Sequence, residues 1–429
     1  MDDRKLRIQK LTELINSKEP YSHKELTYKQ KRGKLPVYEI PVEYLIFNQH
    51  NGRIGTYVKT YEKQYGPIDA ETHEGEKIIV NFLWKSKENR NKETQKDIEE
   101  NGQLEYGIVT KDGIVIDGNR RCMILKKIAI ERHDSPTYFK AVILEDSFKD
   151  NPKEIRKLET IYQMGVDEKV DYNAIEKYLK CKDLSDDFTN EDIGKMMGEK
   201  ASRIKEYLDI LKLMEEFLNR YDYDGMYTRL NEETVEGPFV DVRGYLEKQK
   251  TGRGVRNRDW EPNPEDIREL RDIYFDYIRA GFRTAHGIRD IGNPSKGKGF
   301  FNHKKIWDEF SNKYFNEIET NINDKEPSLD ELRKDNPSEK VEKIIAARDN
   351  DWKHKVKDSM KKNYGITKRN LEDLNEANSP SELLLRALNT LDAINTDNDA
   401  FDESILGIVK KISSLTWDFQ QIIKKKSKE

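Results

Sequence analysis

The spacing of apolar positions changes near residue 150. Before it, short alternating runs are interleaved with helical stretches; after it, apolar residues return every three or four positions almost without a break. KLRIQKLTELINS, within residues 1–30, predicts a charged helix, followed by a polar connection. VYEIPVEYLIFN alternates and predicts a strand, with Pro41 at an edge or a turn. NQHNGRIG makes a turn-rich loop that carries Arg53. EGEKIIVNFLW holds an apolar run compatible with strand or helix. ETQKDIEENGQ has helical spacing and a stop at Asn101-Gly102. YGIVT and IVIDG, joined by Lys111-Asp112-Gly113, predict a hairpin, because Asp-Gly suits a tight turn. A helix (CMILKKIAIER) follows Asn119, and YFKAVILED predicts another strand.

Beyond Asp150, KEIRKLETIYQMG, DYNAIEKYLKC, NEDIGKMMG and ASRIKEYLDILKLMEEFLNRY all predict helices, with Thr189 and Ser202 at positions suited to caps. TGRGVRNRDWEPNPED is a loop rich in Gly, Pro and Arg. ELRDIYFDYIRAGFRT predicts a helix and GNPSKGKGFFNHKK a second basic loop. Residues 326–429 predict helices almost throughout. Ser379-Pro380-Ser381 opens one amphipathic helix (SELLLRALNTLDAIN), and ESILGIVKKISSLTWDFQQIIKKK forms the last. Two such neighbours suggest a hairpin that docks or dimerises.

Composition narrows the class. Of 429 residues, 37% are charged and 35% hydrophobic, which suits a helix-rich protein with a large charged surface. A net charge of −4 argues against a general polyanion binder, so nucleic acid would meet one local basic face. Cys122 and Cys181 belong to no Cys-x-x-Cys pair, so a disulfide framework is not expected. A reducing, cytoplasmic setting is expected, nucleoid-associated when DNA is bound. No run is long or apolar enough for a signal peptide or a membrane span, and no membrane partner is expected. The seven histidines show no ligand spacing.

Candidate chemistry concentrates in DGIVIDGNRRCMILKKI, residues 112–128. A β-rich run meets Asp117-Gly118 there, and Arg120 and Arg121 open a helix. A phosphate site needs outward backbone N–H groups, a glycine for close approach and fixed cations. The helix start after Gly118 offers the first two, and the arginine pair offers the third. Asp117 fits a turn, a cap or the orienting of an arginine. A solvated helix start is the plain alternative.

The order of helix, Gly turn (DIEENGQLEYGIVT), hairpin (KDGIVIDG), GNRR and apolar helix resembles the N-terminal domain of the ParB/sulfiredoxin superfamily. The ParB turn reads Gly-Glu-Arg-Arg; Gly118, Arg120 and Arg121 match, and Asn119 replaces the glutamate. DIEENGQLEYGIVT resembles the box that holds the nucleotide base and ribose, with Gly107 where ParB proteins often have proline. PVEYLIFNQHNGRI resembles the opening strand and Asn-x-x-Arg loop. The resemblance covers approximately residues 36–220. It implies that CTP or ATP, with Mg2+ as a further expectation, is bound by Gln103, Gly107, Asp117, Gly118, Asn119, Arg120 and Arg121. LETIYQMGVDEKVDYNAIEKYLKC resembles the ParB segment that helps hold magnesium and hydrolyse CTP. Glu159 matches its glutamate and is the candidate catalytic and metal residue. Thr160 replaces the asparagine and the Gln-Arg pair is out of register, which favours binding over hydrolysis.

FTNEDIGKMMGEKASRIKEYLDILKLM resembles a ParB-type helix-turn-helix, with Gly198 in the turn and Gly194 allowing close helix approach. Ile193, Met197, Ile204 and Leu208 should face inward, and Thr189, Lys200, Ser202, Arg203 and Lys205 are candidate contacts to double-stranded DNA. The expected architecture is an N-terminal helix and linker (1–35), then an α+β ParB/sulfiredoxin-like nucleotide-binding domain (36–148). An all-α helix-turn-helix region (149–222), a mixed helical region with basic loops (223–325) and a helical C-terminal part (326–429) follow, the last suited to a homodimer or a partner protein. The leading expectation is a DNA-binding protein whose nucleoside triphosphate acts as a conformational switch. The alternative is an NTPase or nuclease subunit of a DNA-modification or phage-defence system, nuclease being the weaker of the two. Cys122 follows the arginines, whereas a sulfiredoxin nucleophile sits in the phosphate loop, so it reads as a core residue. The two basic loops offer a track for nucleic acid, with Phe300 and Phe301 as stacking partners, against the plain reading of surface loops. His286 and Arg289 lie near them with no assigned role.

Overall fold

The computed structural model describes residues 3–131, 136–165, 173–231, 235–255, 258–282, 288–295, 298–319, 326–377, 380–396 and 403–426. The chain forms two compact units, residues 1–363 and 364–429. The first opens with α1 (Asp3–Ser17), β1 (Ser22–Tyr28), β2 (Lys31–Pro41) and β3 (Ile46–Phe47). There follow α2 (Gly55–Tyr65), α3 (His73–Ser86), α4 (Glu88–Asn101), β4 (Gly107–Val109), β5 (Ile114–Asp117), α5 (Asn119–Glu131) and β6 (Tyr138–Ile143). The six strands form one sheet in the order β1-β2-β6-β4-β5-β3. β1 occupies what reads as a polar connection, so the sheet begins at residue 22 and not at 36.

Alternation places successive side chains on opposite faces of the sheet. Val109, Val115 and Ala141 join Ile79, Phe82, Leu83 and Ile124 in a core beneath the helices. Ile108, Ile116 and Val142 turn the other way and pack with Leu26, Ile155 and Leu158. The ambiguous run 75–84 is helical, because Ile79, Phe82 and Leu83 fall on one buried stripe of α3. Thr72 caps that helix by accepting from the Gly75 N–H. Cys122 is fully buried in the first core, and burial pushes its thiol up to about 12. It is an inert packing residue in this setting.

The helical part comprises α6 (Pro152–Thr160), α7 (Ala174–Ser185), α8 (Asn190–Met197), α9 (Ala201–Arg220), α10 (Glu236–Thr251), α11 (Pro264–Arg279), α12 (Arg289–Gly292), α13 (Lys304–Lys313) and α14 (Leu329–Asp335). α15 (Val341–Ala377) begins in the first unit and continues into the second. α8 and α9 pack as a helix-turn-helix pair, with Gly198 left-handed at φ 72°. Ile193, Met197 and Ile204 are buried between them; Leu208 is only partly buried, and Tyr207 takes the inward position beside it. A Cβ on Gly194 would lie 2.6 Å from the Glu199 carbonyl oxygen. Gly194→Val is therefore expected to destabilise the protein by on the order of 1–3 kcal/mol through overpacking. Chemical unfolding measures this, and an unchanged midpoint would refute the close approach.

Two expectations need correction here. Phe300 and Phe301 are wholly buried, packed on Phe310 and Trp307 with ring centroids 5.2 and 4.7 Å apart, so they are core residues and do not stack on bases. Ser202 lies inside α9, whose cap position is Lys200, two residues before the serine. His286 lies outside the described residues, as do positions 256–257 and 296–297 of the two basic loops.

In the second unit, α16 (Pro380–Asp392) and α17 (Leu406–Lys426) are amphipathic. Leu384, Leu388 and Leu391 of the one and Ile408, Leu415 and Phe419 of the other stand exposed in the single chain. Ser379 lies outside the described residues. Among the described residues, no helix is long and apolar enough to cross a membrane.

Candidate functional site

The strand-to-helix turn after β5 depends on glycine twice over. Gly118 has φ +94°, and a Cβ there would meet the Phe139 ring at 2.8 Å. Asn119, the first residue of α5, is buried: its Nδ2 donates to the Val115 carbonyl (2.8 Å) and its Oδ1 accepts from the Asn48 N–H (3.1 Å). It ties the turn to the loop after β3.

The two arginines part company. Arg121 donates through Nη1 to the Glu105 carbonyl (3.0 Å) and through Nη2 to Asp117 Oδ2 (3.0 Å). Lys24 pairs with the same carboxylate at 3.6 Å, so Asp117 orients cations of the sheet edge. Gln103 also serves the scaffold, donating to the Glu105 and Lys140 carbonyls and accepting from the Lys140 N–H. Gly107 lets β4 pass Phe139, whose ring a Cβ would meet at 2.3 Å. Arg120, among the candidate nucleotide residues, lines a cleft.

That cleft has a volume of about 700 Å³. Arg53 comes from the loop before α2 and Tyr57 from its first turn, Lys85, Lys87 and Arg90 from the α3–α4 junction, and Arg120 from the first turn of α5. Asn173, Glu176 and Asn231 close it from the helical side, so the cleft lies between the sheet domain and the helices that follow. Five cationic side chains face three carboxylates, Glu88, Glu93 and Glu176. Guanidinium and ammonium groups clustered in a concave setting are suited to polyphosphate, and here Arg53 and Arg120 are half-buried while Lys85, Lys87 and Arg90 are exposed.

The α3–α4 junction is one part of this site that sequence reasoning misses, and Glu176 is another. WKSKENR carries its cations in a short run, which alone reads as a solvated helix end.

Glu159 is placed differently from expectation. It is fully buried; Oε1 accepts from Asn48 Nδ2 (2.8 Å) and Oε2 from Lys180 Nζ (2.7 Å). Burial raises its carboxyl above the ordinary range, against the opposing pull of Lys180. Thr160 spends its hydroxyl on the Arg156 carbonyl (2.8 Å). With both oxygens of Glu159 engaged inside the protein, its donor set does not fit a magnesium ion. Among the described residues, no three His, Cys, Asp or Glu side chains cluster as metal ligands.

The second candidate face is the helix-turn-helix. Thr189 caps α8, accepting from the Asp192 N–H at 3.2 Å. Lys200, Ser202 and Arg203 border a shallow depression with Glu199, Glu206 and Arg243 of α10. Arg203 pairs with Glu206 (2.7 Å) and Lys205 with Asp209 (2.8 Å). Exposed pairs of this kind contribute about 0–1 kcal/mol, so phosphate can exchange for the carboxylates at small cost.

No family model matches the chain, and no curated protein matches it. Solved structures give distant likenesses. One is a Pnob8-like ParB-N domain, 12% identical, with TM-score 0.30, covering 56% of this chain and 93% of that one. Another is C-terminally truncated chromosome-partitioning protein ParB from Caulobacter crescentus, complexed to the centromeric parS site. It is 14% identical with TM-score 0.25, and the match covers 56% of this chain and 98% of that one. Likenesses this distant decide nothing about function.

Proposed function

We propose that this is a ParB-like DNA-binding protein whose sheet domain binds a nucleoside triphosphate, CTP or ATP, in the Arg120 cleft. The observation that carries the reading is the convergence of Arg53, Lys85, Lys87, Arg90 and Arg120 between the sheet domain and the helices. A ligand there touches both parts, so differential affinity for two arrangements would let it act as a switch. The GNRR turn and the helix-turn-helix segment, which resemble those of ParB proteins, support the same assignment. Hydrolysis is not part of the proposal, because Glu159 is turned into the protein.

The test is a nucleotide panel titrated against the full chain, with and without duplex DNA, at two salt concentrations. Saturable CTP or ATP binding that changes duplex affinity is expected; no affinity for any nucleotide would refute the nucleotide half. On the DNA side, Lys200→Ala and Lys205→Ala are each expected to lower the salt slope of duplex binding by about one. Unaltered slopes would remove α9 from the interface.

A further inference from the structure

Where the helical region walls the cleft, a buried carboxylate seats it on α2, beside the more exposed Lys59–Asp183 pair. Glu176, near the start of α7, accepts from the Thr56 N–H through both oxygens (3.1 and 3.2 Å) and from Thr56 Oγ1 at 2.6 Å. The fit is close: a Cβ on Gly55 would lie 2.9 Å from Glu176 Oε2. The seam continues through Asn231, which donates to Thr56 Oγ1 (2.8 Å), and Asn173, which donates to Asn231 Oδ1 (3.2 Å). Asn173, Glu176 and Asn231 are also lining residues of the cleft. The contact joining α2 to α7 is therefore part of the candidate binding site, and α7 packs directly on α8 and α9.

We propose that Glu176 is a proton-dependent latch between α2 and α7, and that a polyphosphate entering the cleft is bound together with a proton on this carboxyl. The inference rests on the reading of the cleft as a nucleotide site. An incoming polyanion brings negative charge beside a buried carboxylate that has little water to screen it. Taking a proton from solvent removes the repulsion. It also turns a charged contact at the start of α2 into a neutral one, loosening the seat of α7 and of the helix-turn-helix behind it.

The carboxyl is poised for this. Burial pushes it up to about 7, against the lowering effect of the hydrogen bonds from Thr56 and Gly55, and Asp183 adds to the rise. On its own helix Lys180 and Asp183 are near it. Arg53, Tyr57, Lys59 and Glu62 face it from α2 and its approach, with His50 in the preceding loop. Across the cleft stand Lys85, Lys87, Arg90 and Arg120, with Glu88 and Glu93 among them. Lys180 is paired with Glu159, Lys59 is paired with Asp183, and Glu88 and Glu93 are exposed to water. Glu176 is the buried carboxylate of this wall, and it carries the proton response.

The experiment is calorimetric titration of the full chain with CTP and with ATP, from pH 6 to 8, in buffers of different ionisation enthalpy. Wild type is compared with Glu176→Gln, which keeps an oxygen acceptor for Thr56. Wild type should take up more proton on binding than the glutamine variant. Its affinity should fall below that of the variant as pH rises, by a factor on the order of ten for a carboxyl whose proton affinity rises tenfold. Thr56→Val, which removes the hydroxyl donor, should move the wild-type profile to higher pH and keeps the test alive should the glutamine variant fail to fold. Identical proton uptake and identical pH profiles would overturn the latch while leaving nucleotide binding intact. Absence of binding by all proteins at every pH would overturn the nucleotide reading, and the latch with it.

Discussion

Arg120→Ala is expected to weaken CTP or ATP binding by about one to two orders of magnitude, while Arg121→Ala changes it only a few-fold. The two side chains are neighbours in sequence and differ in what they touch. Arg120 lines the cleft with Arg53, Lys85, Lys87 and Arg90. A charge-assisted contact to phosphate contributes about 1.5–3 kcal/mol, which corresponds to roughly 10- to 150-fold in affinity. Arg121 instead binds Asp117 and the Glu105 carbonyl, outside the cleft. Its loss should register as lower stability of the β4–β5 hairpin, on the order of 1 kcal/mol for the hydrogen bonds removed. Arg120→Lys should recover part of the affinity and not all, because an ammonium cannot reproduce the guanidinium fork. Titration of a fluorescent nucleotide with the three variants measures this directly. Equal losses from Arg120→Ala and Arg121→Ala would mean that the cleft is not where phosphate binds.

Much of the fold is legible where local chemistry and tertiary packing agree. The Asp112-Gly113 hairpin, the stop at Gly102 and the α8–α9 turn at Gly198 each rest on a glycine that the backbone requires, with φ of 88°, 72° and 72°. β1 was hidden for the opposite reason. Its hairpin turns through Lys29 and Gln30, both at positive φ (49° and 62°), where Asn or Gly would ordinarily announce the turn. Its residues, SHKELTY, bury Leu26 alone and leave His23, Glu25 and Thr27 exposed, so only pairing with β2 reveals the strand.

The site was half legible. Arg120 is marked by its place after Gly118, whereas Lys85, Lys87 and Arg90 arrive from a helix junction well before it in the chain, and Arg53 from the loop before α2. Glu176 reads as one polar position on an amphipathic helix; its partner Thr56 is 120 residues away, a separation that no periodicity can span. Asn119 shows the converse. A position that motif spacing assigns to phosphate is spent on Val115 and Asn48 inside the fold.

Lys180→Met is expected to be the most destabilising of the substitutions discussed, by about 3–5 kcal/mol, because it strands a buried carboxylate. Glu159 is fully buried and Lys180 nearly so, and the Lys180 ammonium supplies the compensating charge at 2.7 Å. The Asn48 side-chain amide, donating to the carboxylate at 2.8 Å, then remains as its polar partner. A neutral amide offers a hydrogen bond and no charge, which falls well short of the solvation the carboxylate leaves behind in water. The pH dependence follows from the direction of the shift. Burial raises the Glu159 carboxyl above its unfolded value, so the folded state holds its proton more tightly. Stability from such a group is fully present below the unfolded pKa and is lost as pH rises through the folded one. Removing Lys180 raises that folded value further, so the deficit should shrink on acidification and widen toward neutral pH. Glu159→Gln combined with Lys180→Met should recover most of the loss, since glutamine keeps an acceptor for Asn48 and brings no charge. Urea unfolding of the three proteins at pH 5 and pH 8 separates the terms. A Lys180→Met deficit that is small, or the same at both pH values, would show Glu159 to be solvated, and would reopen it as a group able to reach ligand or metal.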